Sequence, residues 1–177
     1  SGYCRDAACA MAAAVASAFE ANATIDTVID AATRYLLPVS AGELTRTIAA
    51  ALELAASAGS YESFREGYYA DFQRTMLADS METIPAVLSI LKLAEGDPER
   101  SIVWGANFGR DADTIGTMIG GVVGALHGAS GLPPAWVAKV EANPDVKYRE
   151  TTPRLAGLVR SRLKEAQERI EAVEALS

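Results

Sequence analysis

The sequence predicts an all-α protein, folded as a compact multi-helix bundle. Helix start and stop residues recur along nearly all of its 177 residues, and no segment shows the alternating pattern of a half-buried strand. Half of the residues are hydrophobic but only 7% are aromatic, so the core must consist largely of Ala, Leu, Ile and Val. This length suits one core, and we expect a single all-α domain over residues 1–177.

The first three helices are predicted from capping and breaking residues. An alanine-rich helix is expected over residues 5–21, where small side chains allow neighbouring helices to approach closely. Thr24 is a suitable N-cap for a second helix that ends before Pro38. A third helix over roughly 41–58 ends at Gly59, a residue type that commonly terminates helices.

The next two helices are predicted from composition and from one proline. The stretch YESFREGYYADFQ predicts a short helix rich in Tyr and Phe, although Gly67 weakens it. Proline is tolerated in the first turn of a helix, so Pro85 places the start of the following helix near Thr83. That helix is expected to end at Gly96.

The remaining helices also carry start signals. Asp97 is the expected N-cap of a sixth helix, and Asp113 or Thr114 that of a glycine-rich seventh. GLPPAW interrupts the chain before a short helix, and residues 152–153 (Thr-Pro) start a long amphipathic one. The apolar face of this last helix comprises Leu155, Leu158, Val159, Leu163, Ile170 and Val173.

An acidic cluster stands at the entrance of the glycine-rich helix. In NFGRDADTIGTMIGG, Asp111, Asp113 and Thr114 fall within four residues, and the next ionisable side chain is His127. A helix N-cap or an ordinary acidic turn would explain these residues. The third explanation is a metal site, since hard cations such as Mg²⁺ prefer carboxylate and hydroxyl oxygens.

Glycines recur every four residues in the same helix, and each costs about 0.5–1 kcal/mol relative to alanine. A stripe of them is therefore expected where another backbone comes close, and close helix packing would hold the acidic cluster rigidly. The stripe comprises Gly116, Gly120, Gly124 and Gly128.

Charge and cysteine content exclude several classes. A net charge of −7 argues against a nucleic-acid binder, which needs basic groups to neutralise phosphates. Cys4 and Cys9 do not have the spacing of a redox or zinc pair, so we expect free thiols in a cytoplasmic protein. The apolar runs are shorter than the roughly 20 residues of a membrane span, so no membrane segment is expected.

The stretch NFGRDADTIGTMIGGVVGALHGASGLPPAW resembles the C-terminal signature of the ADP-ribosylglycohydrolase family. The signature reads Gly-x-Asp-x-Asp-Thr, then a Gly/Ala-rich helix, then a proline and a tryptophan. The preceding DSMETIPAVLSILKLAEGDPERSIVWGAN and the N-terminal SGYCRDAACAMAAAVASAF are similar to other family segments, so the resemblance covers nearly the whole chain.

The resemblance implies an all-α hydrolase with a binuclear Mg²⁺ centre, in which Asp111, Asp113 and Thr114 are metal ligands. The implied substrate is an ADP-ribosyl group or a related ribosyl conjugate, cleaved at its anomeric carbon. Gly109 and Arg110 are further candidates for substrate binding, since Arg110 beside the acidic cluster could meet a substrate phosphate. An ion pair with a neighbouring carboxylate is the alternative for Arg110.

The chain departs from the family in lacking the N-terminal half, whose Thr/Ser-Asp-Asp motif carries the other metal ligands. We therefore expect a C-terminal part of a larger or two-chain unit, completed by a companion polypeptide or an N-terminal half. A non-catalytic relative, and an enzyme acting on a nucleoside-like small molecule, are the alternatives. Ser1 as an N-terminal nucleophile is a further, less favoured possibility.

Four other sets of side chains have weaker expectations. Glu82 and Asn107 are candidates for residues that hydrogen-bond to the metal ligands and orient them. For Glu82, an acidic residue in the first turn of a helix also suits the helix dipole. His127 lies about twelve residues along the helix from Thr114, so a structural role is expected. Core packing is expected of the aromatic side chains Tyr61, Phe64, Tyr68 and Tyr69, with stacking on an adenine as the alternative.

Overall fold

The computed structural model describes residues 2–176, and within them it contains nine α-helices and no strand, so the predicted all-α class is confirmed. A short 3₁₀ turn, Ala129–Gly131, follows the seventh helix. The helices are α1 Gly2–Ala18, α2 Ile25–Arg34, α3 Pro38–Ser57, α4 Tyr61–Asp71, α5 Ser80–Leu93, α6 Pro98–Asn107, α7 Ala112–His127, α8 Pro134–Glu141 and α9 Tyr148–Glu174.

The chain divides into two compact units, which are described separately. The first runs to Pro133 and holds α1 to α7, and the second begins at Pro134 and holds α8 and α9. The expected single domain over residues 1–177 stays a prediction.

Helix α5 is the centre of the first unit. Every residue from Met81 to Leu91 is buried, which requires neighbours on all sides of the helix. Those neighbours include α1, α2, α3, α6 and α7. Alanine, leucine, isoleucine and valine dominate the core, as the composition predicts, and α4 adds Phe64 and Tyr68. The start of α5 is therefore a buried platform beside α7.

Helix boundaries that depend on local capping agree with the sequence. The Thr24 side chain accepts a hydrogen bond from the Thr27 amide in a capping box. Asp97 caps α6 by accepting from the Arg100 amide at 2.8 Å. Gly59 ends α3 with φ of 71°, in the left-handed region that glycine enters without strain.

The predicted starts of α1, α3, α5 and α9 were wrong, each because the helix begins earlier, and α1, expected over residues 5–21, runs from Gly2 to Ala18. Helix α3 begins at Pro38 itself, which occupies the first turn where a proline is tolerated. Helix α5 begins at Ser80 because Asp79 caps it, so Pro85 lies in the second turn instead of the first. Helix α9 begins at Tyr148, ahead of the Thr-Pro pair.

The glycine stripe of α7 is less tightly packed than its spacing predicts. At Gly116 an added Cβ would lie in ordinary contact with Ala106 of α6, 3.9 Å from its amide nitrogen. At Gly120, Gly124 and Gly128 an added Cβ would meet no atom within 4 Å among the described residues. The expected close packing is therefore wrong for that part of the stripe, and this face of α7 is open.

The second unit consists of α8 and α9, tied together where α9 begins. The Glu141 carboxylate accepts hydrogen bonds from the Tyr148 hydroxyl, at 2.5 Å, and from Arg149. No described residue of α9 is buried, and its predicted apolar face is exposed, for example 59% at Leu158. Among the described residues, no helix combines the length and the apolar character needed to cross a membrane.

Candidate metal centre

A left-handed turn leads the chain from α6 into the acidic cluster. After α6 ends, Gly109 has φ of 90° and Arg110 has φ of 55°. Asp111 follows directly, and α7 begins at Ala112. Glycine adopts such angles readily, whereas a residue with a Cβ is disfavoured there and needs support from its surroundings. The direction of this turn decides where the Asp111 carboxylate lies.

Asp111 occupies the N-cap position of α7 without using its side chain as a cap. The prediction that Asp113 or Thr114 caps the helix was wrong, since both lie within its first turn. The Asp111 carboxylate accepts no capping hydrogen bond, and Oδ1 instead accepts from the Thr114 hydroxyl at 2.9 Å. A hydroxyl has one proton and two lone pairs, so this bond leaves the lone pairs of Thr114 Oγ1 available to a ligand.

Asp111 and Thr114 line a groove of about 310 Å³ formed by α1, the start of α5 and α7. Ser80 and Thr83 place two further hydroxyl groups along it, and the rest of its lining is mostly apolar. The Ser80 hydroxyl lies 3.7 Å from the Cys4 sulfur. Asp113 is exposed outside this lining, so the structure places two of the three predicted ligands in the groove.

Arg110 and Glu82 form a buried two-point ion pair. Arg110 Nε lies 2.5 Å from Glu82 Oε1 and Nη2 lies 3.0 Å from Oε2. Only 17% of the Arg110 side chain and 2% of the Glu82 side chain are exposed. Hydrogen bonding to the Glu82 carboxylate raises the pKa of Arg110 above its usual value. The ion-pair alternative for Arg110 thus describes the structure, and its substrate role stays a prediction.

Phe108, the residue before the turn, is held by side chains of α4. The Phe108 carbonyl accepts hydrogen bonds from Arg65 Nε at 2.7 Å and from Tyr69 Oη at 2.5 Å. The Phe108 ring is fully buried among the aromatic side chains of α4. A Cβ on Gly109 would lie 2.4 Å from Tyr69 Oη, so glycine is required there for space as well as for its backbone angle.

Asn107, Tyr61 and Tyr69 line another groove, whereas Phe64 and Tyr68 are fully buried. Asn107 donates to the Val103 carbonyl and lines a separate groove of about 460 Å³ with Tyr61 and Tyr69. Tyr61 stacks on Trp104 at 5.1 Å and donates its hydroxyl to the Trp104 carbonyl. Burial raises the pKa of Tyr61 to about 12. The aromatic set packs within the protein, as expected.

Two further expectations concern groups away from the groove. The ring of His127 lies 2.9 Å, at Nε2, from the Gly96 carbonyl oxygen, which fits the structural role expected of it. Ser1 lies outside the described residues. The support of the metal ligands expected of Glu82 and Asn107 stays a prediction.

The donor atoms of the acidic cluster suit Mg²⁺ by type, since all are carboxylate or hydroxyl oxygens. The two aspartates also offset the positive end of the α7 dipole, which by itself would repel a cation. Among residues 2–176, however, no three His, Cys, Asp or Glu side chains come together as a metal-binding group. Asp111 and Thr114 therefore fit one part of a cation site, which needs further ligands, and the ligand role of Asp113, outside the groove lining, stays a prediction.

The network behind the groove is not evident from the sequence. Glu82 and Arg110 are 28 positions apart, and Arg65 and Phe108 are 43 apart. One local signal existed: Arg65 and Tyr69 are spaced so that they share a face of α4. That spacing does not reveal their common partner, the Phe108 carbonyl.

Comparison with known proteins identifies the family of this chain. The model of the family described as ADP-ribosylglycohydrolase matches residues 1–171. YegU of Escherichia coli strain K12, an uncharacterized protein, is 41% identical over 63 residues, which are 36% of this chain and 19% of YegU. Human ADP-ribosylhydrolase ARH3 is 32% identical over 82 residues, 41% of this chain and 21% of that protein.

A third relative is the ADP-ribosylarginine hydrolase Tri1 of Pseudomonas putida strain GB-1, 48% identical over 40 residues, 23% of this chain and 11% of Tri1. The chain thus aligns with only 11% to 21% of the length of these relatives. No solved structure matches it significantly. Because the family model covers nearly the entire chain, this protein belongs to the ADP-ribosylglycohydrolase family.

Proposed function

We propose that this chain supplies one half of a binuclear Mg²⁺ site in a hydrolase that cleaves the glycosidic bond at the anomeric carbon of ADP-ribose or a related ribosyl conjugate. The observation that carries the proposal is Asp111, an N-cap aspartate whose carboxylate caps nothing and lies in a groove. Most aspartates at this position accept an amide hydrogen bond. A carboxylate that makes no capping bond, at some cost to the helix, and keeps lone pairs free beside its bond from Thr114 suits a ligand.

The proposal gives each residue of the candidate site a role. Asp111 and Asp113 provide the negative charge, and Thr114 directs its proton to Asp111 Oδ1 so that its lone pairs are available to the cation. Bound Mg²⁺ would orient the ribose hydroxyls and a water molecule and stabilise the charge that develops. The Ser80 and Thr83 hydroxyls and the apolar wall of the groove would limit how a sugar enters.

We further propose that a companion polypeptide, or an N-terminal half of the same protein, supplies the remaining metal ligands. Two observations support it: the described residues gather no third acidic group, and the glycine face of α7 is open. Glycines at Gly120 and Gly124 lower helix stability, and a Cβ there would meet nothing within 4 Å among residues 2–176, so a backbone from elsewhere would account for them. The exposed thiols of Cys4 and Cys9 suit a cytoplasmic setting.

The metal assignment is tested by titrating Mg²⁺ into the chain and into its Asp111→Asn and Asp113→Asn variants, with calorimetric detection. Loss of a ligand is expected to weaken binding at least about tenfold. Asp97→Asn is the matched control, since Asp97 caps α6 and Asn is an equally good cap. Wild-type affinity in both Asp111→Asn and Asp113→Asn would refute the assignment.

The activity is tested on the chain and on the complete unit purified from its own cells, using ADP-ribosylated arginine, ADP-ribosylated serine and ribosylated small molecules. Water adds to the anomeric carbon and the leaving nitrogen or oxygen takes a proton, so free ADP-ribose or ribose is the measured product. Mg²⁺-dependent release that requires Asp111 supports the proposal. Mg²⁺ binding without release of any product in the complete unit favours the non-catalytic relative.

A further inference from the structure

The turn at Gly109 and Arg110 is held by two anchors that lie far from it in the sequence. Arg110 carries a side chain at φ of 55°, where L-residues are disfavoured, and it does so immediately before Asp111. Such a conformation persists only where surrounding contacts determine it. Here the conformation is determined by the contacts that Arg110 and the Phe108 carbonyl make with other helices.

The first anchor is the Glu82 carboxylate at the start of α5. Both of its oxygens contact the Arg110 guanidinium, and Oε2 also accepts from the Arg74 amide at 2.7 Å. Arg110 Nη2 in turn donates to the Arg74 carbonyl at 2.5 Å. Because an arginine fork fixes direction as well as distance, this pair orients the backbone of Arg110.

The second anchor is the pair of α4 side chains that donate to the Phe108 carbonyl. Tyr69 Oη and Arg65 Nη2 are also 3.3 Å apart, and the Arg65 guanidinium lies 4.6 Å from the centre of the Tyr69 ring. The tyrosine hydroxyl fills the space next to Gly109 that a Cβ would take. The Phe108 peptide group, which enters the turn, is thereby held by α4, and Arg110, which leaves it, is held by Glu82.

We infer that Glu82 and Tyr69 are positioning residues, which act through Arg110 and the Phe108 carbonyl to aim Asp111 and Thr114 into the groove. Arg110 is then engaged within the protein through Nε and Nη2. The aiming of the two oxygen ligands rests on the proposed metal site, whereas the control of the turn does not.

Amide hydrogen exchange tests the control of the turn without any metal. The Ile115 amide donates to the Asp111 carbonyl at 3.0 Å, so it reports on the first turn of α7, and Val123 reports on the distant part of the same helix. Glu82→Gln and Arg110→Gln are expected to lower the protection of Ile115 about tenfold and that of Val123 much less. Tyr69→Phe is expected to have the same effect, to a smaller degree.

Two features separate positioning from general loss of stability. The double variant Glu82→Gln/Arg110→Gln should be no worse at Ile115 than Arg110→Gln alone, since both changes remove the same ion pair and Arg110→Gln also removes the bond to the Arg74 carbonyl. Arg74→Gln is the matched control, because its half-exposed side chain pairs with Glu43 at 3.4 Å and Asp79 at 3.7 Å, whereas the contacts of Arg74 with Glu82 and Arg110 are made by its backbone. Unchanged protection at Ile115, or an equal fall at Ile115 and Val123, would overturn the inference.

Mg²⁺ affinity then tests the aiming of the ligands. If the wild type binds Mg²⁺, Arg110→Gln and Glu82→Gln should bind it about tenfold more weakly, while Arg74→Gln binds normally. Equal affinity in all three variants would refute the aiming step. If the wild type binds no Mg²⁺ even in the complete unit, the proposed function fails, and the exchange result still decides whether the anchors control the turn.

Discussion

Gly109 offers the sharpest test of the turn that precedes Asp111. Alanine at this position would have to adopt φ of 90°, and its Cβ would meet Tyr69 Oη at 2.4 Å and Arg65 Nη2 at 3.2 Å. The left-handed conformation costs about 1–2 kcal/mol for an L-residue. Displacing Tyr69 from the Phe108 carbonyl costs about 0.5–1.5 kcal/mol more. We therefore expect Gly109→Ala to lower the free energy of unfolding by about 2–3 kcal/mol.

Thermal unfolding followed by circular dichroism measures this loss. At this chain length about 1 kcal/mol corresponds to roughly 2–4 °C, so Tm should fall by about 4–12 °C. Gly120→Ala, in the middle of α7, is the matched control. Its Cβ would meet nothing within 4 Å among the described residues, so helix propensity alone should raise stability by about 0.5–1 kcal/mol.

A second variant separates the steric part from the backbone part. Tyr69→Phe removes the hydroxyl that the Gly109→Ala methyl would strike, so the double variant should lose less stability than the sum of the two single variants. Strict additivity of the two changes would refute the steric reasoning. A Gly109→Ala variant as stable as the wild type would refute the backbone reasoning as well.

Three further predictions follow from burial, titration and hydrogen bonding. Leu88→Ala, in the fully buried centre of α5, should cost about 2–5 kcal/mol in chemical denaturation, whereas Leu158→Ala on exposed α9 should change stability by less than about 0.5 kcal/mol. Tyr61 has a pKa of about 12 when folded and 10.0 as its reference value. Its contribution to stability should be intact below pH 10 and lost between pH 10 and about 12, as denaturation midpoints and tyrosine absorbance would show, and Tyr61→Phe should remove that part of the pH dependence. Thr114→Val deletes the hydroxyl bonded to Asp111 Oδ1 and should weaken Mg²⁺ binding about tenfold without abolishing folding, whereas Thr117→Val, one turn along α7, should bind as the wild type does.

The parts of the fold that the sequence predicts are those determined within a few residues. Thr24, Gly59 and Asp97 act on their own helix ends, and each ends or begins a helix as expected. Helix α5 begins earlier than Pro85 predicts because Asp79 caps it. The helix therefore accommodates Pro85 in its second turn instead of its first.

The candidate site divides in the same way. The identity of Asp111, Asp113 and Thr114 follows from a motif of four residues, and their use as metal ligands stays a prediction. The turn that directs them depends on Glu82, which becomes relevant only when α5 lies beside α7. The glycine stripe shows the opposite case: its spacing is obvious in the sequence, yet much of it meets nothing in the described chain.

The anchoring of the turn at Gly109 and Arg110 has a consequence for the order of folding. Helix α7 can form early, because its hydrogen bonds are local, whereas the contacts of Arg110 and Phe108 span 28 to 43 positions and close slowly. The groove beside Asp111 should therefore take its final shape only after α4 and α5 have docked. Accordingly, Glu82→Gln should leave the refolding rate nearly unchanged and act mainly by speeding unfolding.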